Sequence, residues 1–220
     1  MPEGHKKHRY KLVYFQGKGR GEPIRLIFHH FGVDFDDIRL SQEEWQAHKQ
    51  LKIAPMDQLP YLVVDDEKLV LCQSMTIARY LAKSFGRSQG FAGKGITEAA
   101  LSDMYADGVN DIITSYLYNV MFIKDDAAKK KASKEFYKTK YTNFLDTYQE
   151  ALKNNSSKHE NSGHFLVGKQ LTYADFVFAC ALHTCDEVMP KSLKNHSLLN
   201  DYLTYIKNLP TIKDYIEKNW

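Results

Sequence analysis

Three short stretches of this chain combine residue types that can do chemistry with spacings that can hold a ligand. Tyr14 stands next to last in an apolar run and is followed by Phe15-Gln16-Gly17-Lys18-Gly19-Arg20-Gly21, with no cysteine or serine in that place. A phenol is a poor nucleophile at neutral pH but a good O–H donor to an anion, and Arg20 can add a positive field. Read alone, Tyr14 serves equally well as a strand-end aromatic that fills a core. The glycines before a helix fit neither the GxxxxGKS/T nor the GxGxxG pattern, so a flexible turn is a simpler reading than a phosphate loop. Further on, Gln58-Leu59-Pro60 precedes the apolar run Tyr61-Leu62-Val63-Val64. Proline there marks the start or edge of a strand, because it donates no ladder hydrogen bond. Leu59 is pushed into an extended conformation, and its backbone groups can pair with a visiting peptide. Gln73-Ser74 then stands where an apolar-periodic helix begins, and the unpaired N–H groups at such an end suit a carboxylate. Together these features describe a pocket for a small acidic peptide.

The elements that must position these residues follow the order βαβ-α-ββα. Lys11 to Phe15 reads as a strand, and Glu22 to Phe31 as a helix with Pro23 in its tolerant first turn. Asp34 to Arg39 reads as a second strand, and Ser41-x-x-Glu44 as a capping box that opens a short helix through Trp45. Tyr61 to Val64 and Lys68 to Leu71 form a hairpin around Asp65-Asp66-Glu67, and Ser74 to Phe85 closes the unit as a helix. With a proline at the third strand, this order matches a thioredoxin-like half over residues 10–86. A polar extension, residues 1–9, precedes it, and a glycine-rich linker, residues 87–95, follows.

From residue 96 to 220 every strong period is helical. Glu98 to Tyr118 and Ser133 to Lys153 are long amphipathic segments. Gly168-x-x-x-Thr172-x-x-Asp175 places a capping hydroxyl and a returning carboxylate before a run that is apolar all round, which belongs in the middle of a domain. Pro210 separates two short final helices. The expected fold class is therefore α+β, a thioredoxin-like domain followed by an all-helical one.

Composition narrows the function classes. At 220 residues with 43% apolar side chains the chain can fill a sizeable core, and a net charge of +3 calls for no nucleic acid. Lys129-Lys130-Lys131 reads as a solvated face. Cys72, Cys180 and Cys185 form no CxxC or metal spacing and are expected to be reduced; the histidines, including His5 and His8 in the polar leader, also lack ligand spacing, so no metal is expected. No apolar run approaches the ~20 residues of a membrane span. The first nine residues lack the apolar core of a signal peptide. Yet sequons at Asn154, Asn155 and Asn195, the first two in a polar and loop-like stretch, are what a glycosylated protein with its leader removed would carry. Cytoplasmic and secreted locations both stay open.

Tyr14-Phe15, Gln58-Leu59-Pro60 and Gln73-Ser74-x-x-Ile77-Ala78-Arg79-Tyr80-Leu81 resemble the soluble glutathione transferases, and within them the sigma class of nematode enzymes and prostaglandin D synthases. The resemblance covers nearly the whole chain from Tyr10. It implies a homodimeric enzyme that conjugates glutathione to a small apolar electrophile and can isomerise prostaglandin H2 to D2. A non-catalytic binding protein of the ligandin or lens type is the alternative.

By the same resemblance, Tyr14 stabilises the glutathione thiolate with Arg20 beside it. Trp45, Lys49, Gln58, Leu59, Pro60, Gln73 and Ser74 contact the tripeptide, with Pro60 in the cis position. Asp111 reaches it across the dimer interface, and Phe15, Ile113 and Tyr118 face the second substrate. There are departures from the family pattern. Lys18 stands where the family often has arginine, and lysine lacks the planar fork. Pro55-Met56-Asp57 replaces the usual Pro-Phe-Gly, and the hairpin before Gln73 is longer than usual.

Overall fold

In the computed structural model, which describes residues 8–160 and 163–220, the strand that carries Tyr14 spans Tyr10–Phe15 (β1). It pairs in parallel with Asp36–Leu40 (β2) and antiparallel with Tyr61–Val64 (β3), and β3 pairs antiparallel with Leu69–Cys72 (β4). The sheet order is β2-β1-β3-β4. Leu12 and Val13 point to opposite faces of β1 and both are buried, so the sheet is covered on both faces there.

Helix α1 (Glu22–His30) buries Ile24, Leu26, Ile27 and Phe28, and α3 (Ser74–Phe85) buries Ile77, Ala78, Leu81 and Ala82. The two helices pack together. Val13, Tyr61 and Val63 form a second cluster with Trp45 of α2 (Gln42–His48), Ala54 and Cys72. α2 begins at the expected capping box: the Ser41 hydroxyl accepts the Glu44 N–H at 3.1 Å, and the Glu44 carboxylate accepts the Ser41 N–H at 2.6 Å.

Two strands start later than their sequences predict. β2 begins at Asp36, not Asp34, and β4 at Leu69, not Lys68. The hairpin turn explains the second shift. Asp65, Asp66 and Glu67 all take left-handed backbone conformations, with φ of 51°, 54° and 72°, and the Lys68 N–H bonds back to the Asp65 carbonyl at 3.4 Å. That uses Lys68 in the turn. The tip is held by the chain before β1: the Asp65 N–H donates to the Arg9 carbonyl at 2.9 Å, the His8 ring meets the Asp65 carboxylate at 2.7 Å, and Arg9 pairs with Asp66. The rest of the polar extension, with His5, lies outside the described residues.

This first compact unit ends at Phe85, and a second begins at Gly86. The described part of the second contains α4 (Gly95–Tyr116), α5 (Asp126–Phe136), α6 (Thr142–His159), α7 (Tyr173–Val188), α8 (Ser197–Lys207) and α9 (Lys213–Asn219). Neither long amphipathic segment is one plain helix. α4 passes into a π-helical turn at Leu117–Met121, so Tyr118 lies beyond its end; the segment Ser133 to Lys153 leaves α5, crosses a π-helical turn at Tyr137–Tyr141 and enters α6. Amphipathic spacing does not reveal such a turn, because one extra residue rotates the apolar face without ending it.

α7 is buried from Tyr173 through His183, as its apolar sequence requires, and packs on α4. Its N-terminus is closed by Asp175. That carboxylate accepts the Thr172 N–H at 2.7 Å, the Thr172 hydroxyl at 2.9 Å, the Leu166 N–H at 2.9 Å and the Tyr202 hydroxyl of α8 at 3.0 Å.

The sequons need one correction. Asn154 and Asn155 lie within α6, which continues to His159, and not in a loop. Asn155 donates from Nδ2 to the Phe165 and Gly168 carbonyls, both at 2.9 Å, and accepts the Gly168 N–H at 3.0 Å. Both hydrogens of its amide are committed, so the folded chain does not present Asn155 for glycosylation. Asn154 and Asn195 are exposed.

Candidate active site

The turn after β1 is built around the Tyr14 ring. A Cβ on Gly19 would lie 2.6 Å from the Tyr14 hydroxyl oxygen, and one on Gly21 would lie 2.6 Å from the ring carbon Cδ1. Gly19 also has a φ of +39°. Glycine at these two positions is thus explained by the close approach of backbone to phenol. The Arg20 backbone N–H donates to the Tyr14 hydroxyl oxygen at 3.1 Å. With that lone pair engaged, the phenolic proton remains available to a ligand. Burial raises the Tyr14 pKa, and the Arg20 N–H together with the charges of Arg20 and Arg25 pulls it back. The side chain is a protonated donor at neutral pH, suited to a bound anion.

A second group of predicted site residues meets at the β3–α3 end of the same unit. The Leu59–Pro60 peptide is cis. The Gln73 amide donates to the Gln58 side-chain oxygen at 3.0 Å and approaches the Met56 sulfur at 3.4 Å. Gln73 takes a left-handed conformation, φ 71°, immediately before Ser74 opens α3, and Ser74 is only 5% exposed. Lys49, in the helical turn after α2, places its ammonium 5.8 Å from the centre of the Trp45 ring. Trp45 itself is 6% exposed and belongs to the core cluster described above, so packing accounts for most of its surface. The Phe15 ring meets that of Tyr14 edge-on, with centroids 5.6 Å apart.

Of the other predicted residues, Asp111 is exposed on α4 and Ile113 is half-buried on the same helix. Tyr118 is 73% exposed in the π-helical turn and meets the Phe122 ring. Among the described residues no group of three His, Cys, Asp or Glu is arranged to hold a metal, and no helix is long and apolar enough to cross a membrane.

Comparison with known proteins decides the family. Residues 10–83 match the N-terminal domain of glutathione S-transferases, and residues 110–219 match the C-terminal domain. The chain belongs to the glutathione S-transferase family. Glutathione S-transferase 1 of Ascaris suum is 36% identical over 94% of this chain and 95% of its own length. The structure of prostaglandin synthase D of Nilaparvata lugens superposes with a TM-score of 0.83 at 30% identity, covering 96% of this chain and 98% of that one. A glutathione S-transferase of the hookworm Necator americanus, described as monomeric, superposes with a TM-score of 0.79 at 33% identity and the same coverage. The α+β fold is thus that of the family, and glutathione is the co-substrate. Relatives named as transferases favour catalysis over the non-catalytic carrier.

The sequence reading missed one set of residues around this transferase's Tyr14. Arg25 on α1 is fully buried, and its guanidinium is shared by Glu22, Asp37 and two backbone carbonyls of the Tyr14 turn. A usable signal was present. Arg25 stands inside the apolar run Ile24-Arg25-Leu26-Ile27-Phe28, and an arginine there is rarely buried unless paired.

Proposed function

We propose that the chain conjugates glutathione to apolar electrophiles, with the Tyr14 hydroxyl donating to the glutathione thiolate. The observation that supports this best is the Arg20 N–H on the Tyr14 oxygen, which leaves the phenolic proton to be given away. A free thiol of pKa ~8.5 is only a few per cent thiolate at pH 7, and lowering that pKa by ~2 units needs ~2.7 kcal/mol. A hydrogen bond to a charged group supplies ~1.5–3 kcal/mol, so one tyrosine can do most of the task. In this reading Gln73 and Ser74, at the start of α3, hold the γ-glutamyl end. Leu59 pairs with the peptide backbone, Gln58 contacts the tripeptide beside Gln73, and Trp45 and Lys49 face the glycyl carboxylate. Ile113 and Tyr118 supply apolar contacts for the electrophile.

The likeness to an insect prostaglandin synthase D favours a second use of the same thiolate. The sulfur attacks one endoperoxide oxygen, an S–O bond forms as the O–O bond breaks, and the released oxygen takes up a proton. Loss of a proton from the carbon bearing the S–O group then leaves a ketone and expels the thiolate, so glutathione is not consumed. One experiment tests both reactions. The purified protein should be retained on immobilised glutathione, should conjugate a chlorinated aromatic, and should raise prostaglandin D2 above the spontaneous background when given prostaglandin H2. Retention without turnover would favour the carrier. A prostaglandin mixture unchanged by the enzyme would remove the isomerase alone.

Assembly as a homodimer is the other part of the proposal, and exposed Asp111 motivates it as the acid that the family resemblance assigns to a partner's glutathione. Sedimentation at micromolar concentration should give a dimer. A monomer that still binds glutathione, like the monomeric state described for the hookworm relative, would remove both the dimer and the role of Asp111.

A further inference from the structure

We infer that Arg25 is a positioning residue for Tyr14, its guanidinium locking the glycine-rich turn so that the phenol holds one direction. The inference rests on the reading of Tyr14 as the thiolate's donor. Arg25 reaches four partners at once. Nε donates to both carboxylate oxygens of Asp37, at 3.1 and 3.0 Å, and Nη1 to the Glu22 carboxylate and the Gly17 carbonyl, each at 3.1 Å. Nη2 approaches the Phe15 carbonyl at 3.4 Å. Phe15 and Gly17 are the residues through which the chain leaves Tyr14 and turns back toward Gly19, so this side chain grips that turn from α1 and anchors it to β2. Glycines at 17, 19 and 21 give the turn freedom that something else must remove. The guanidinium carbon stands 5.9 Å from the Tyr14 ring centre.

Charge alone does not account for this arrangement. Glu22 and Asp37 together carry two negative charges against the one on Arg25, and Arg39 offsets part of that by pairing with Asp37 at 2.7 Å. The charge of Arg25 helps to lower the Tyr14 pKa, and the geometry of its planar donors is a separate contribution. Lysine keeps the charge and loses that geometry. Arg25→Lys thus separates positioning from electrostatics.

The test compares wild type, Tyr14→Phe, Arg25→Lys and Asp37→Asn, with Leu81→Ala as a control that perturbs the core on α3. Bound glutathione is titrated by the ultraviolet absorbance of its thiolate, and kcat and the KM for glutathione are followed with pH. Arg20 and Arg25 face Tyr14, and Glu22, Asp37 and Arg39 surround Arg25. His29 borders Glu22, Asp37 and Arg39 and has its pKa lowered by burial, so the thiolate absorbance, and not rate alone, carries the assignment.

Arg25→Lys should lower kcat below neutral pH by about tenfold, a modest cost for a misplaced catalytic group, and leave the KM for glutathione within about twofold. The bound-thiol pKa should rise by about one unit, the equivalent of that tenfold. Asp37→Asn should move it in the same direction by less, and Leu81→Ala should leave it in place. If Arg25→Lys does not fold, Asp37→Asn decides. Unshifted thiol pKa values in the folded Arg25 and Asp37 variants, or an equal shift in Leu81→Ala, would overturn the inference while Tyr14→Phe still raises the pKa. No shift in Tyr14→Phe would instead remove the role of Tyr14, and this inference with it.

Discussion

Phenylalanine in place of Tyr14 is expected to lower kcat/KM for a chlorinated aromatic substrate by roughly 10- to 100-fold, the range set by one hydrogen bond to a charged group. The substitution removes a single oxygen. The ring still fills the space against Gly19 and Gly21, and Leu12 and Val13 of the same strand stay buried without it, so stability should change little. The Arg20 N–H loses its acceptor at the half-buried edge of the site, where water can replace it. The loss should fall mainly on kcat at low pH, where wild type still holds a thiolate and the variant holds a thiol. Toward pH 9 free thiol ionisation catches up and the two enzymes should converge. A kcat/KM within a factor of two of wild type across the neutral range would show that another group stabilises the sulfur.

That prediction rests on parts of the site that the sequence made readable. Tyr14 is visible because it stands near the end of an apolar run, just before a glycine-rich turn, and the structure puts the phenol against the backbone of that turn. Pro60 is visible because a proline cannot sit within a paired strand, and the chain is bent there by a cis peptide. Ser41-x-x-Glu44 and Thr172-x-x-Asp175 are local patterns whose hydrogen bonds close within one helical turn, so no tertiary information is needed to find them.

What stayed hidden is what depends on partners distant in sequence. Asp37 comes to Arg25 from β2, and the Phe15 and Gly17 carbonyls come to it only after the chain has turned. Periodicity carries no sign of either. The start of β4 depends on three successive left-handed residues in the turn, which Asp65-Asp66-Glu67 as residue types do not announce, since glutamate is uncommon there. Asn155 looked like part of an exposed acceptor motif because a sequon is defined by three residues. Its amide is instead a clamp on the loop at 165–168, reached across residues whose path the motif does not encode.

Asp175→Ala should have the largest effect on stability. Its carboxylate is fully buried and is the common acceptor for the Thr172 N–H and hydroxyl, the Leu166 N–H and the Tyr202 hydroxyl. Truncation leaves the Thr172 and Leu166 donors buried without it, while the Tyr202 hydroxyl keeps the backbone carbonyl of residue 175 at 3.1 Å, and an unsatisfied buried group costs ~1–3 kcal/mol. Local relaxation and entering water reduce the sum, and a total loss of about 3–5 kcal/mol is expected, large against the margin of a typical fold. Asparagine is not a remedy, because its amide sets two donors among donors.

The pH dependence of this group has a definite sign. Burial raises the carboxyl and the four donors pull it back, leaving a pKa of about 6, above the ordinary carboxylate value of 3.8. The native state therefore takes up the proton more readily than the unfolded chain. The group's contribution is greatest below about pH 4 and declines as pH rises through about 6. Urea titrations of wild type and Asp175→Asn at pH 4.5 and 7 measure both claims. The asparagine variant should lose this contribution to the slope of stability with pH, so the gap between the two proteins should be wider at pH 4.5 than at pH 7. A gap that widens toward neutral pH would mean that the donors outweigh burial and hold the carboxyl below its ordinary value. A loss under ~1 kcal/mol in Asp175→Ala would mean that the N-terminus of α7 is held by its apolar packing and not by this carboxylate.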